Sequence, residues 1–197
     1  MKPVDTIAAC RTSHRVLLAS LAPLSDDDFR GPSLLPGYSR GHVVAHIANK
    51  AKAHVVILGG PAAGEVRHLH PDGYDPDLAA DRAAAVRPAG ELRSDLAQCF
   101  ELLEATWDAL DETFWDRPAM MVAGLRTMRE VVSHHHRNVE VHHVDLDIGH
   151  RPSDWPAILV ESELSKRLGS FPDRADHAEI LAWFLGRAPA PELTGSW

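Results

Sequence analysis

The sequence predicts an all-α protein, an antiparallel four-helix bundle followed by a short, mainly helical C-terminal extension. Four long segments place apolar side chains at the spacing of an amphipathic helix, and stretches rich in glycine, proline and aspartate separate them. The alternation of apolar and polar residues that marks a half-buried strand is weak throughout the chain. The 197 residues, 45% of them hydrophobic, suffice for one domain with a full core.

The first two helices of the bundle are predicted over residues 4–22 and about 40–58. Between them, PLSDDDFRGPSLLPGYS is predicted to be a loop, because proline, glycine, serine and aspartate dominate it. The loop ends at Ser39, a favourable N-cap for the second helix. That helix is expected to stop at the Gly-Gly-Pro sequence that begins at Gly59.

The second half of the bundle follows a long excursion over residues 59–88, in which one short helix is expected near 76–86. The third long helix is predicted at about 89–110 and the fourth at about 126–148. Gly149 is a natural residue to follow the end of the fourth helix, because glycine readily adopts the left-handed conformation found there.

Two shorter helical patterns, at about 155–168 and 176–187, come after the fourth helix. We therefore expect the bundle to occupy residues 1–150. Residues 151–197 are expected to form a short C-terminal segment that packs on the bundle.

The composition excludes several classes of partner. The formal net charge of −8 is unfavourable for binding nucleic-acid phosphates, and no apolar run reaches the roughly 18 residues of a membrane span. The N-terminus lacks the apolar stretch of a secretory signal, and two cysteines far apart in sequence fit a reducing compartment. These features predict a cytoplasmic protein with a small-molecule substrate, and they leave a homodimer open.

Thirteen histidines stand out, and five of them fall in HHHRNVEVHH on the fourth helix. At about 100° per residue, His142 lies in the middle of the apolar stripe and His135 on its inner side. The other polar residues lie on two further faces of the helix. His134, Asn138 and Asp145 lie on the flank of the stripe. The opposite face, which is expected to be solvated, carries His136, Glu140, His143 and Asp147.

An imidazole in a buried stripe needs a partner for each ring nitrogen. A metal ion on one nitrogen meets this need for His142, and Asn138, four residues earlier, can face the same ion. On the second helix, His46 lies at the edge of the core side, beside Asn49 and His42. The pattern thus predicts a divalent-metal site between two helices, while a hydrogen-bonded core histidine remains the alternative. The sequence has no G-x-S-x-G elbow, no P-loop and no H-E-x-x-H motif.

Two segments resemble hallmarks of the mycothiol-dependent maleylpyruvate isomerase family, part of the DinB/YfiT-like group of metal-binding four-helix bundles. They are SLLPGYSRGHVVAHIANKA and RNVEVHHVDLDIG, and AEILAWFLGRAPAPELTGSW is similar to the closing segment of that family. The resemblance implies a zinc ion held by His46, by His142 and by a glutamate whose position is Asn138 here. His134, one turn before Asn138, is the candidate replacement ligand. The segment after His150 is shorter than the C-terminal domain usual in the family.

The resemblance implies a cis-trans isomerase that uses zinc and mycothiol or a similar low-molecular-weight thiol. In that chemistry the metal-activated thiolate adds to an activated double bond, the adduct rotates, and elimination gives the trans isomer. Candidates for contacts with the substrate or with the metal ligands are Arg40, Asn49, Arg137 and Asp145. Two alternatives stay open: transfer of the thiol to an electrophilic small molecule, and a metal-free binding bundle, which the amide of Asn138 favours.

Overall fold

Four long helices dominate the residues that the computed structural model describes, which are 1–59, 66–69, 75–121, 124–171, 176–187 and 189–191. The helices, in chain order, are α1 (Val4–Leu21), α2 (Asp26–Arg30), α3 (Arg40–Leu58), α4 (Asp75–Ala85), α5 (Ala89–Ala109), α6 (Met128–Asp145), α7 (Ala157–Ser170) and α8 (His177–Phe184). The four long predicted helices correspond to α1, α3, α5 and α6, so the predicted all-α bundle is confirmed. The predicted short helix near 76–86 is α4.

The bundle forms because each long helix buries one apolar face against its neighbours. Helix α3 lies against α5, α4 and α6, and α1 lies against α6 and α5. The largest fully buried side chains include Trp107, Phe100 and Leu103 of α5 and Leu17 of α1. Burial of large apolar side chains of this kind is the main favourable contribution to the free energy of folding.

A small sheet joins the helices, and the sequence did not indicate it. Strands β1 (Arg67–His68), β2 (Pro118–Met121) and β3 (Gly124–Thr127) lie in the order β1-β2-β3, with β1 parallel and β3 antiparallel to β2. Strands of two to four residues are too short for an alternating pattern to be visible.

Capping boxes fix where α2, α3 and α6 begin. Ser39 caps α3 as predicted, and Ser25 and Thr127 cap α2 and α6 in the same way. The segment between α1 and α3, predicted to be a loop, therefore contains the short helix α2. Because Thr127 is the cap, α6 begins two residues later than the predicted residue 126.

Helix α6 also ends earlier than predicted, at Asp145 rather than near residue 148. Asp147 adopts a positive φ of 52°, which interrupts the helical path. The guanidinium of Arg40 donates from Nε to the carbonyl oxygen of Leu146 at 2.7 Å, and its Nη2 lies 3.4 Å from the carbonyl oxygen of Asp147. These bonds give partners to carbonyls directly after the last residue of α6, so the start of α3 is joined to the end of α6.

The prediction of a solvated outer face on α6 was wrong. His136, Glu140 and His143 are at most 3% exposed. Helix α1 and a short segment after α6 cover this face. His136 Nε2 lies 3.1 Å from a serine hydroxyl of α1. His150 binds the carboxylate of Glu140 at 2.8 Å, and Trp155 donates its indole N–H to the Glu140 carbonyl. A helical-wheel projection assumes one buried face, whereas α6 is covered on two sides.

The contacts divide the chain into two units, Met1–Trp155 and Pro156–Trp197. The first contains the bundle and the sheet, and the second contains α7 and α8, within which Leu159 and Ile180 are buried. That residues 151–197 pack on the bundle stays a prediction. Among the described helices, none combines the length and the apolar character needed to cross a membrane.

Candidate metal centre

His46 and His142, predicted as a pair, lie next to each other where α3 packs on α6. Their ring centroids are 4.8 Å apart and the ring planes are inclined by 79°. Both rings line one cavity of about 230 Å³, together with Leu35, Tyr38, His42, Val43 and Asp81. The site is thus a small pocket that two imidazoles enter from neighbouring helices.

A carboxylate holds each of these two imidazoles through its Nδ1 atom. His46 Nδ1 donates to Asp81 at 2.8 Å, and His142 Nδ1 donates to Asp145 at 2.7 Å. Asn49 donates to the second oxygen of Asp81, also at 2.8 Å. With the proton on Nδ1, each ring presents the lone pair of Nε2, and histidines that bind metals are usually oriented by a carboxylate in this way.

Burial favours the neutral form of His46. Burial lowers the pKa of His46 below its ordinary value, although the bond to Asp81 opposes this effect. For Asp81, which is 5% exposed, burial raises the pKa, but the hydrogen bonds from His46 and Asn49 outweigh it and leave the pKa low. The pair therefore combines a neutral imidazole with an ionised carboxylate, as a metal-binding histidine requires.

Asn138 contacts the same histidine from α6. Its Nδ2 lies 3.5 Å from His46 Nε2, a long hydrogen bond, and its Oδ1 is buried without a hydrogen-bond partner in the part of the chain that the structure describes. Because oxygen and nitrogen of an amide are assigned from such contacts, the reverse orientation turns Oδ1 towards His46. A buried carbonyl oxygen without a partner is costly, and a cation beside it removes that cost.

The three donors fit a divalent metal ion: two imidazole nitrogens with carboxylate partners and one amide oxygen that lacks a partner. No cluster of three or more His, Cys, Asp or Glu side chains suited to a metal occurs within the described residues. Whether Asn138 or His134 is the third ligand therefore stays a prediction. The candidate replacement, His134, has its Nδ1 3.3 Å from Nε2 of His54.

Comparison with known proteins identifies the family. Residues 10–147 match the family described as mycothiol maleylpyruvate isomerase N-terminal domain. The chain belongs to this family. No curated protein is significantly similar to the chain.

Two solved structures share the fold of this maleylpyruvate isomerase family member. One is mycothiol-dependent maleylpyruvate isomerase, with a TM-score of 0.75 and 20% identity, covering 80% of this chain and 66% of that chain. The other is a mutant of that isomerase with a histidine replaced by alanine, with a TM-score of 0.74, 19% identity and the same two coverages. The chain thus spans about two thirds of the length of the structures it matches.

The other predicted site residues of this family member have different surroundings. Asn49 binds Asp81, the partner of His46, and Asp145 binds His142. The guanidinium of Arg40 donates to a backbone carbonyl at the end of α6, and its Nη1 lies 3.2 Å from the carbonyl oxygen of Asp28. Arg137 is half-buried on α6. Of the four candidates, Asn49 and Asp145 therefore belong to the hydrogen bonds behind His46 and His142, and Arg40 joins α3 to the end of α6. A role for Arg137 in the site stays a prediction.

Sequence reasoning missed Asp81. It lies on α4, in the excursion that was predicted only to contain a short helix, and an isolated aspartate in DPDLAADRAAA carries no motif. The one available signal was indirect: a metal-binding histidine requires an acceptor for its second nitrogen.

A second group of histidines fills the core of the bundle away from the cavity. His14 Nε2 forms a hydrogen bond of 2.9 Å with His135 Nε2, and His14 Nδ1 binds the carboxylate of Glu104 at 2.7 Å. The His14 ring also stacks on Phe100, with ring centroids 3.7 Å apart. Burial lowers the pKa values of His14 and His135, and burial with the neighbouring His150 lowers the pKa of His143 to about 4. These rings are neutral in the folded protein at neutral pH.

Buried neutral histidines make the bundle sensitive to acid. In the unfolded chain a histidine has a pKa of about 6.5. At a pH below this value the unfolded chain binds protons that the folded chain does not, so the free energy of unfolding falls as pH falls. We expect the thermal midpoint to drop steadily between about pH 6.5 and 4.5, before most carboxylates titrate. His143→Phe, which keeps a ring against His150, should reduce this slope, and His68→Ala, at an exposed strand residue, should not. A midpoint that is constant or rises on acidification would contradict this expectation.

Proposed function

We propose that this protein is a metal-dependent enzyme that uses a low-molecular-weight thiol such as mycothiol to isomerise an activated carbon–carbon double bond. The observation that carries the proposal is the pair His46 and His142, whose Nδ1 atoms are held by Asp81 and Asp145 and which line one cavity. Membership of the maleylpyruvate isomerase family supports the choice of chemistry.

In this proposal His46, His142 and Asn138 hold the metal, and Zn²⁺ is the ion most in keeping with imidazole ligands. A divalent ion bound there supplies Lewis acidity, which lowers the pKa of a thiol that coordinates it. Asp81 and Asp145 keep the two rings in the orientation and tautomer that ligation needs. Leu35 and Val43 form the apolar part of the cavity wall.

The cysteines of the chain support the use of an external thiol. Both are buried, and neither Cys10 nor Cys99 lines the cavity. Burial raises the pKa of Cys10 well above its ordinary value and raises that of Cys99 to about 11. Since the thiolate is the reactive form, neither side chain is suited to act as the nucleophile at neutral pH.

The proposal is tested with the Zn²⁺-loaded protein, mycothiol and a series of cis-configured activated alkenes, with product formation followed by NMR. Catalytic formation of the trans isomer, with mycothiol unchanged at the end, is the expected result. A stable thiol adduct would instead identify a thiol transferase, which needs the same thiolate but no elimination. Turnover that is equal with and without metal would contradict the proposal.

Asp81→Asn tests whether the carboxylate behind His46 matters for the metal. Asparagine keeps the shape of the side chain and an oxygen acceptor but removes the charge, so the affinity for Zn²⁺ should fall by about 10- to 100-fold. The affinity is measured by competition with a chromophoric chelator. Asp95→Asn is the matched control, because Asp95 is a partly buried aspartate that binds Lys52 and Arg87 instead. Equal Zn²⁺ affinities for the two variants would argue against a part for Asp81.

A further inference from the structure

His42 occupies an unusual place in α3. It is the third residue of the helix and closes the capping box with Ser39, a position that glutamate or glutamine usually occupies. The backbone N–H of Ser39 donates to His42 Nδ1 at 3.2 Å, and the Ser39 hydroxyl lies 2.8 Å from the same nitrogen. The capping box thus uses the Nδ1 side of the ring.

This contact fixes the tautomer of His42. A backbone N–H can only donate, so Nδ1 must accept and carries no proton; the ring proton is then on Nε2. His46, one turn later, has the opposite arrangement, because its Nδ1 donates to Asp81 and its Nε2 presents a lone pair. Two histidines of one helix that line the same cavity therefore offer it opposite groups, a donor from His42 and an acceptor from His46.

The donor of His42 is available to a ligand. Its Nε2 makes no hydrogen bond to any residue that the structure describes, and the ring of Tyr38 meets it edge-on with centroids 5.6 Å apart. The tautomer also keeps His42 from serving as a further metal ligand through Nε2. An N–H donor from a residue that lines the same cavity as His46 and His142 is suited to a negatively charged oxygen on a ligand that reaches the metal.

We propose that the Nε2–H of His42 binds a carboxylate oxygen of the substrate and so positions the double bond beside the metal. The inference rests on the proposed function, because it takes the cavity to be the substrate site. Conjugation with a carbonyl or carboxyl group is what activates a double bond towards a thiolate, so the group that His42 binds is part of the reacting system.

Two variants separate the donor from the capping box. Gln and Glu both close a capping box, so α3 should keep its start in His42→Gln and in His42→Glu. Glutamine retains an N–H donor, whereas glutamate offers only acceptors and a negative charge. The probe is maleate, a small cis-dicarboxylate, titrated calorimetrically into Zn²⁺-loaded protein. We expect binding about tenfold or more weaker in His42→Glu and within about threefold of wild type in His42→Gln. Equal binding in all three proteins, an equal loss in both variants, or no binding of maleate to the wild type would overturn the inference.

The tautomer is measured directly by ¹⁵N NMR of the histidine rings in the full chain, with the His42 signals assigned by their loss in His42→Gln. We expect protonated Nε2 and unprotonated Nδ1 in His42, and a change of the Nε2–H signal when maleate is added to the Zn²⁺-loaded protein. A His42 protonated at Nδ1 would overturn this inference alone. A wild-type protein that takes up no Zn²⁺ would contradict the proposed function instead, so the two failures are distinguishable.

Discussion

Replacing His46 by alanine is expected to lower the affinity for Zn²⁺ by more than about 100-fold, a larger effect than the loss of a residue behind a ligand. His46 contributes one of two imidazole donors, and its removal also leaves Asp81 buried without the N–H that now satisfies it. The affinity is measured by chelator competition, and the rise in thermal midpoint on adding Zn²⁺ gives an independent value, because a ligand that binds only the folded state stabilises it.

The matched control for this variant is His68→Ala. His68 is an exposed histidine on β1, so its loss reports how much Zn²⁺ the chain binds nonspecifically through surface imidazoles. We expect no change in the tight binding event. If His46→Ala and His68→Ala bind Zn²⁺ alike, the metal is held elsewhere and the cavity is not a metal centre.

Replacing Asn138 by glutamate is expected to have the opposite effect and to raise the affinity for Zn²⁺ by about tenfold or more. A carboxylate brings a full negative charge to the cation, whereas the amide brings only a carbonyl dipole. The same charge makes the bound metal less positive, so a coordinated thiol should become less acidic in Asn138→Glu than in the wild type. Both quantities are accessible, the first by chelator competition and the second from the pH dependence of thiol alkylation in the loaded protein.

Asn138→Leu completes this series. Leucine has the same branched arrangement of side-chain heavy atoms and offers no oxygen, so Zn²⁺ affinity should increase in the order leucine, asparagine, glutamate. An affinity that does not depend on residue 138 would show that the amide oxygen is not a ligand. In that case the long contact between Asn138 and His46 would be only a hydrogen bond of a metal-free core.

Local sequence signals predicted the bundle well because they act within one helix. Ser39 marks the start of α3 through a side chain that caps the helix, and the apolar spacing on α5 gives its length. The small sheet was missed because its strands are short. The outer face of α6 was misjudged because α1, His150 and Trp155 cover it, and nothing in the helix itself indicates what packs against that face.

The residues of the candidate site were likewise predictable only in part from the sequence. His46 and His142 were predicted from helix geometry and from two motifs, and the structure places their rings side by side. Asp81 and the tautomer of His42 were beyond reach, because one depends on where α4 packs and the other on the direction of a single backbone N–H. Pairings between distant segments and orientations of rings are properties of the folded chain, which a linear pattern does not contain.

The central claim is that this cavity is a metal centre, and elemental analysis of protein purified without added metal or chelator tests it most directly. We expect close to one equivalent of a divalent transition metal per chain, most of it lost in His46→Ala. Less than about a tenth of an equivalent in the wild type, unchanged by His46→Ala, would contradict the account.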